Sequence, residues 1–596
     1  MGKKSLPIKD TSYISAKFLI YAYCFILGAY NIAWLMNIDT DIRQYQERVP
    51  IILLILLVVL VKTHFFYKLK TCAIKYISAA VVVLVGAFFT NKYSDLSSDF
   101  ISSHSVMIAA LQLGWNPLTD PDGISIAKQY PWFSGGNFSF RADTGLASQI
   151  LQNFNNSLTG ISNSYFIVNV FFLVLGAIFV RTTILELCAL TLIKLKSSQH
   201  FLLVCKFIYL SPALISQQLF TGYNDIVTYC ISVSIFCILL VCTINPRLWT
   251  ELRFPLFLLI ITLPSFKLNF FVLSAIAVLP SIYLSIANRS TKRRLLIESA
   301  LGTNFFLGLT LLIFPFFWGA QRWVQGNPPW FLSDNKFEDA WLGGQPRFYL
   351  DWNGLERVWS VFAGRTSLNP EFPDLSGLFA FPSNQEFRFA GFLDNRMGGL
   401  GPLGGDVAFI SFTLAIVVFF LFCFNFFRGI VMDTRMKACM LILFLLVSLI
   451  FLLFASPMSF MIRYFPHYSL ITLLMYFILI IVPEKEFGSV VKKIKYTFFV
   501  SLSLLLLNVV ITQVSMSRIL LENNRNISNF QNAVRASELI GNDNGFLKIT
   551  VNNKIGFSKR FGENLLRDPS RFLQLECPAK DIILSYDDEI ALCKIS

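Results

Sequence analysis

The chain has 596 residues, of which 55% are hydrophobic and 14% charged, with a formal net charge of +14. A soluble protein of this size carries about 25% charged residues, so this composition and the mean hydropathy of +0.59 exclude a cytosolic enzyme. The chain breaks into apolar runs near the ~20 residues that cross a bilayer, and the fold class expected is an all-α polytopic membrane protein.

Spans are expected near 15–36, 50–67, 72–90, 162–193, 201–220, 224–244, 254–265, 268–288, 299–318, 406–427, 438–456, 464–483 and 496–516, thirteen in all. Region 254–288 is the least regular, because Pro264 and Lys267 split it. The basic start (Lys3, Lys4, Lys9) leads into an apolar run with no small-residue cleavage site, so no cleavable signal peptide is expected. With the N-terminus inside, the short connections on the cytoplasmic side hold 24 of the 50 Lys and Arg and six acids. This is the positive-inside bias. The basic excess therefore reads as membrane orientation and not as nucleic-acid binding.

Two long polar loops, 91–161 and 319–405, and the region 517–596 then face the extracytoplasmic side. Nine of the ten Trp lie on that side or at its interface, Trp249 being the exception. Stacking on sugar rings and simple packing of the long loops both account for such an asymmetry. Nine of the eleven cysteines fall in spans or cytoplasmic loops. The other two, Cys577 and Cys593, are candidates for a disulfide if their region is exported. In region 517–596 a helical stretch, 518–540, precedes alternating segments at 546–551 and 581–586 that read as strands, enough for a small α/β domain. There is no Walker loop, dinucleotide fingerprint, internal repeat or metal-ligand cluster.

Candidate chemistry begins in the first loop. Asp95 and Asp99 stand four residues apart and share a face if that segment is helical; His104 follows, then Gly114-Trp115-Asn116-Pro117-Leu118. A carboxylate where a span opens to water can act as a general base; an ordinary solvated acid at a helix end is the alternative. Tyr130 opens a polar and aromatic stretch running to Gly145. Gln217 to Asp225 ends the fifth span, and Asp225 reads either as a helix cap or as a ligand for substrate. Arg396 precedes five glycines within residues 394–405, which suit either a phosphate cradle or a passive turn. Arg463, in Arg463-Tyr464-Phe465-Pro466, suits a lipid phosphate or snorkels to headgroups.

Taken in order, Asp99–His104, Gly114–Leu118, Tyr130–Gly145, Gln217–Asp225, Gly398–Pro402 and Arg463–Pro466 resemble the C-type integral-membrane glycosyltransferases, the GT-C superfamily, over about residues 90–470. The resemblance implies a polyprenyl-phosphate sugar donor, a glycan or lipid acceptor and a bacterial inner membrane, with the active site on the extracytoplasmic face. It implies inverting transfer of a hexosyl or pentosyl group, Asp99 as general base with Asp95 as alternative or partner, and Arg463 on the leaving phosphate. His104, Asp225, Arg396, Trp115 and Tyr130 would line the substrate cavity. No organic cofactor is implied; some relatives use a divalent cation, and Asp95 with Asp99 is the pair to hold Mg or Mn. The chain departs from the commoner pattern in that its acid follows the third span and the acid pair is spread over four positions. A lipid-linked glycan flippase would need ionisable residues deep in spans, where Glu186 is the main acid. A polysaccharide polymerase or ligase would use the second loop, whose seven Lys and Arg are matched by nine acids.

Overall fold

The computed structural model describes residues 12–35, 105–129, 146–159, 165–287, 352–390, 400–426, 433–455, 467–540, 547–551, 582–587 and 590–594, apart from 113, 118, 121–122, 194, 220–224, 268–269, 366–373 and 483. The expected spans at 50–67, 72–90 and 299–318 lie outside these residues, as does Cys577. The remaining expected spans all coincide with helices.

In chain order the helices are α1 (Ser12–Leu35), α2 (Ser105–Gln112), α3 (Ile124–Gln129), α4 (Ala147–Thr159), α5 (Tyr165–Leu190), α6 (Leu195–Leu210), α7 (Ala213–Gln218) and α8 (Asp225–Ile244). They continue with α9 (Trp249–Phe266), α10 (Phe271–Ala287), α11 (Gly354–Ala363), α12 (Asn384–Phe389), α13 (Gly404–Phe426), α14 (Thr434–Ala455), α15 (His467–Ile481) and α16 (Glu484–Ile540). Three short strands, β1 (Leu547–Val551), β2 (Ile582–Asp587) and β3 (Ile590–Lys594), form an antiparallel sheet in the order β1-β3-β2.

Among the described residues six helices are long and apolar enough to cross a membrane: Tyr165–Leu190, Asp225–Ile244, Pro246–Phe266, Gly404–Leu421, Thr434–Ala455 and Ser489–Leu521. Leu19–Tyr30, Phe271–Ala287 and His467–Ile481 are shorter apolar helices. The protein is therefore a helical membrane protein. Helix α8 is its centre, apolar on every side and buried along Asp225–Cys242, as a helix surrounded by others must be. It packs on α5, α9, α14 and α10. Outside this core, Phe257, Leu279, Ile282, Phe420 and Phe451 point outward and exposed, an apolar surface that only lipid or another apolar body would cover.

Three boundaries differ from those expected. The fifth span breaks at Ser211-Pro212, where α6 stops and α7 begins, because a residue ahead of proline is pushed out of helical geometry. Helix α9 runs through Pro264 and ends one turn later, at Lys267 in extended conformation. The span expected at 496–516 and the helical stretch expected at 518–540 are parts of one helix: α16 has 57 residues, about 86 Å at 1.5 Å per residue.

The helices alternate between two ends. At one, Lys17 pairs with Glu251, Asn245 contacts Glu186, and the Arg435 guanidinium donates to the Leu190 carbonyl at 3.0 Å, closing the C-terminus of α5. At the other, Asn508 of α16 grips the glycine turn ahead of α13: its amide nitrogen donates to Leu400 O at 2.8 Å and its oxygen accepts from Leu403 N at 3.1 Å. Gly401 has φ +87°, and a Cβ there would meet the Asn508 side chain; a Cβ on Gly405 would meet the Phe362 carbonyl. These glycines serve close packing. Gly401→Ala is expected to destabilise the protein by about 1–3 kcal/mol, read as a lowered melting temperature in detergent; an unchanged melting temperature would contradict the packing role.

Candidate functional site

Of the residues singled out by sequence, Asp95, Asp99, His104, Tyr130, Arg396 and Arg463 lie outside the described residues. Asp225 and Trp115 lie within them, both at the Asn508 end of the bundle.

Asp225 is the first residue of α8 and only 1% exposed. Its Oδ1 is ion-paired with Lys267 Nζ, and its Oδ2 accepts from Gln218 Nε2 at 2.8 Å. The other end of that glutamine, Oε1, accepts from Ile226 N at 3.1 Å. Gln218 is thus the side chain that satisfies an orphan amide of α8, while the acid beside it is committed to a cation. Asn169 of α5 braces the preceding turn, donating to Gln218 O at 2.9 Å and Leu219 O at 3.2 Å. Gln217 donates to Ala390 O at 2.9 Å, tying α7 to the second loop. Nearby, His467 opens α15, buried and stacked on Phe270 with ring centroids 5.8 Å apart.

Lys267 was legible only as a helix break, although a lysine amid apolar runs needs a partner. That partner stands 42 residues away, and nothing local in the sequence marks the pairing. Asn169, likewise, sits inside an apolar run and carries no motif.

Trp115 does not present its ring for stacking. It is 2% exposed, packed in the main core, and its Nε1 donates to Asp120 O at 2.7 Å. The next residue, Asn116, donates to Trp34 O at 3.0 Å and so ties the Gly114–Leu118 segment to the end of α1. Ile108 of α2 packs with Tyr165, Phe166 and Leu219, which places the first loop against the Gln218 turn.

The second loop is held by its own charges. Arg365 pairs with Glu386 at 2.9 Å and Asp374 at 3.4 Å, and both α11 and α12 begin with capping boxes, Asn353/Glu356 and Ser383/Glu386. Hydrogen bonds from the Ser376 hydroxyl and amide hold the Asp374 carboxyl below its usual range, with Arg365 adding to them. The Phe379 amide, on a residue with φ 55°, donates to Asp406 at 2.7 Å. Both α11 and α12 are thereby fastened to the bundle end that carries Asp225.

Among the described residues no three His, Cys, Asp or Glu side chains group to hold a metal ion; Asp95 and Asp99 are not among those residues. Comparison with protein-family models, curated proteins and solved structures gave no match.

Removing one partner of a buried ion pair costs about 3–5 kcal/mol, whereas replacing both with apolar groups is often neutral. Asp225→Leu and Lys267→Met are each expected to lower the melting temperature strongly in detergent, and the double variant to recover most of the loss. Additive losses would show that the two side chains are not coupled.

Proposed function

We propose that this chain is an integral-membrane glycosyltransferase of the GT-C kind, moving a sugar from a polyprenyl-phosphate donor to a hydroxyl of an extracytoplasmic glycan or lipid with inversion. In this reading the chain has thirteen spans with its N-terminus inside, residues 517–596 form an extracytoplasmic α/β domain, and the membrane is a bacterial inner membrane. One observation supports it most. Described parts of three resembling segments, Trp115–Asn116, Gln217–Leu219 with Asp225, and Leu400–Gly401, share one end of the bundle with the described parts of both long loops. A transferase working at the membrane face needs that convergence.

The chemistry follows from the residues assigned. The acceptor hydroxyl oxygen attacks the anomeric carbon while Asp99 takes its proton. The bond from that carbon to the phosphate oxygen breaks on the opposite face, and polyprenyl phosphate leaves with the electron pair, held by Arg463. Phosphate is a sufficient leaving group without protonation, so one carboxylate base is enough, as in the base half of an inverting glycosidase. Asp95 is the alternative base or a partner of Asp99.

The buried Asp225–Lys267 pair favours a second reading, a lipid-linked glycan flippase, since ionisable residues at breaks in spans are what coupled transport uses. The two readings diverge in the glycans. In cells carrying Asp99→Asn at wild-type protein level, release and mass analysis of surface glycan is expected to show loss of one monosaccharide, with Asp95→Asn weaker. Unaltered glycans in both variants overturn the base assignment, and loss of long chains with single units intact supports the flippase or a polymerase.

A further inference from the structure

Helix α11 carries more apolar surface than the bundle covers. Val361, Val358, Phe362, Leu355 and Trp359 fall on one arc, about 160° wide at 3.6 residues per turn. Val358, Val361 and Phe362 are buried. Leu355 and Trp359, one turn apart at the edge of the same arc, are 64% and 41% exposed. Glu356 and Arg357 lie on the rest of the circumference.

That uncovered edge sits where two apolar stripes of the spans end. On α14, Met440, Phe444, Val447 and Phe451 follow the i, i+4, i+7, i+11 spacing of one helix face, and all four are exposed. On α13, Ile416 and Phe420 are exposed and share a face with Phe409, seven residues before Ile416. Helix α11 packs on both α13 and α14. A Cβ on Gly354, its first residue, would collide with the Phe454 carbonyl in the last turn of α14. A Cβ on Gly405, in the first turn of α13, would likewise meet the Phe362 carbonyl near the end of α11. The helix therefore crosses from the end of α14 to the start of α13. Trp359 and Phe379 both meet the Phe409 ring edge-on, with centroids 6.2 and 6.1 Å apart, so aromatic rings crown the α13 stripe. Phe379 is itself 62% exposed.

We infer that α11 and Phe379 form a membrane-interface surface, with Leu355, Trp359 and Phe379 set among the lipid headgroups at that end of the bundle. Continuity names lipid as the occupant. The patch prolongs two exposed apolar faces of spans, and a helix laid across the ends of those spans carries it. An amphipathic helix with aromatic side chains at its apolar edge is what rests at the boundary of headgroup and acyl chain. The inference goes beyond the transferase reading and holds whichever chemistry the chain performs: it fastens the second loop to the bilayer surface.

Spin labels on Leu355→Cys and Trp359→Cys test this in the full-length protein, held in nanodiscs of phosphatidylcholine and phosphatidylglycerol, with the signal of labelled unsubstituted protein subtracted. Phe420→Cys supplies the lipid reference and Arg247→Cys the water reference, both side chains being exposed. Oxygen concentrates in lipid and a nickel chelate in water, so the ratio of their collision rates reports depth. Both positions on α11 are expected to give a ratio several-fold above that at Arg247→Cys and below that at Phe420→Cys. A ratio equal to that at Arg247→Cys puts the patch in water and overturns the inference. Exclusion of both reagents shows protein on the patch, a second copy in a purified sample, and overturns it equally. Phe379→Cys, outside α11, is a third position held to the same outcomes, and only variants with the wild-type melting temperature are compared.

Discussion

The Asp225–Lys267 pair is the constraint around which the polar end of the molecule is organised. Both charges are withdrawn from water inside an apolar bundle, where an isolated charge is expensive and a paired one tolerable. Satisfying Asp225 fixes the first turn of the central helix α8, and Gln218 joins that turn to α7 by bonding the acid with one end and an α8 amide with the other. Satisfying Lys267 fixes where α9 ends and α10 begins. Asn169 then locks α5 onto the same turn. Five helices that would otherwise slide along apolar faces are given one register.

The long loops are fastened to that registered end. The first comes in through Asn116 on α1 and Ile108 against Leu219; the second through Gln217 on Ala390, Asp406 on the Phe379 amide and Asn508 on the glycine turn. In the second loop a helix side chain (Gln217, Asp406 or Asn508) meets loop backbone each time, whereas in the first Asn116 donates from the loop to the backbone of α1. Lipid cannot satisfy a backbone group, so loop segments at the bundle end must be capped by the helices beneath them. The opposite end is built differently, from an Arg435 cap and a Lys17–Glu251 ion pair at 3.8 Å.

Much of the helical framework was legible in the sequence, because a bilayer imposes one simple demand, about 20 apolar residues per crossing. The break at Pro212 is proline chemistry, yet it lies inside what the sequence reads as one span, which the structure divides into α6 and α7. What stayed illegible depends on distant partners. Lys267 finds Asp225 across 42 residues, and Asn508 finds Leu403 across 105. For the glycine run the sequence left a phosphate cradle and a turn equally open; Asn508 occupying the Leu403 amide decides for packing at that point. For Trp115 the sequence left sugar stacking and loop packing both open; the residue is buried and its indole donates to Asp120.

The proposed transfer chemistry requires the end that holds Asp225 to be the extracytoplasmic end. Phe381 lies in the second loop at that end and is 95% exposed, whereas Arg247, also exposed, joins α8 to α9 at the other end. Labelling of Phe381→Cys and Arg247→Cys with a membrane-impermeant thiol reagent, measured over the wild-type background, reads the orientation directly. The account predicts that Phe381→Cys labels in intact cells and Arg247→Cys only after permeabilisation. The reverse pattern would contradict it, placing both loops and the proposed transfer site in the cytoplasm.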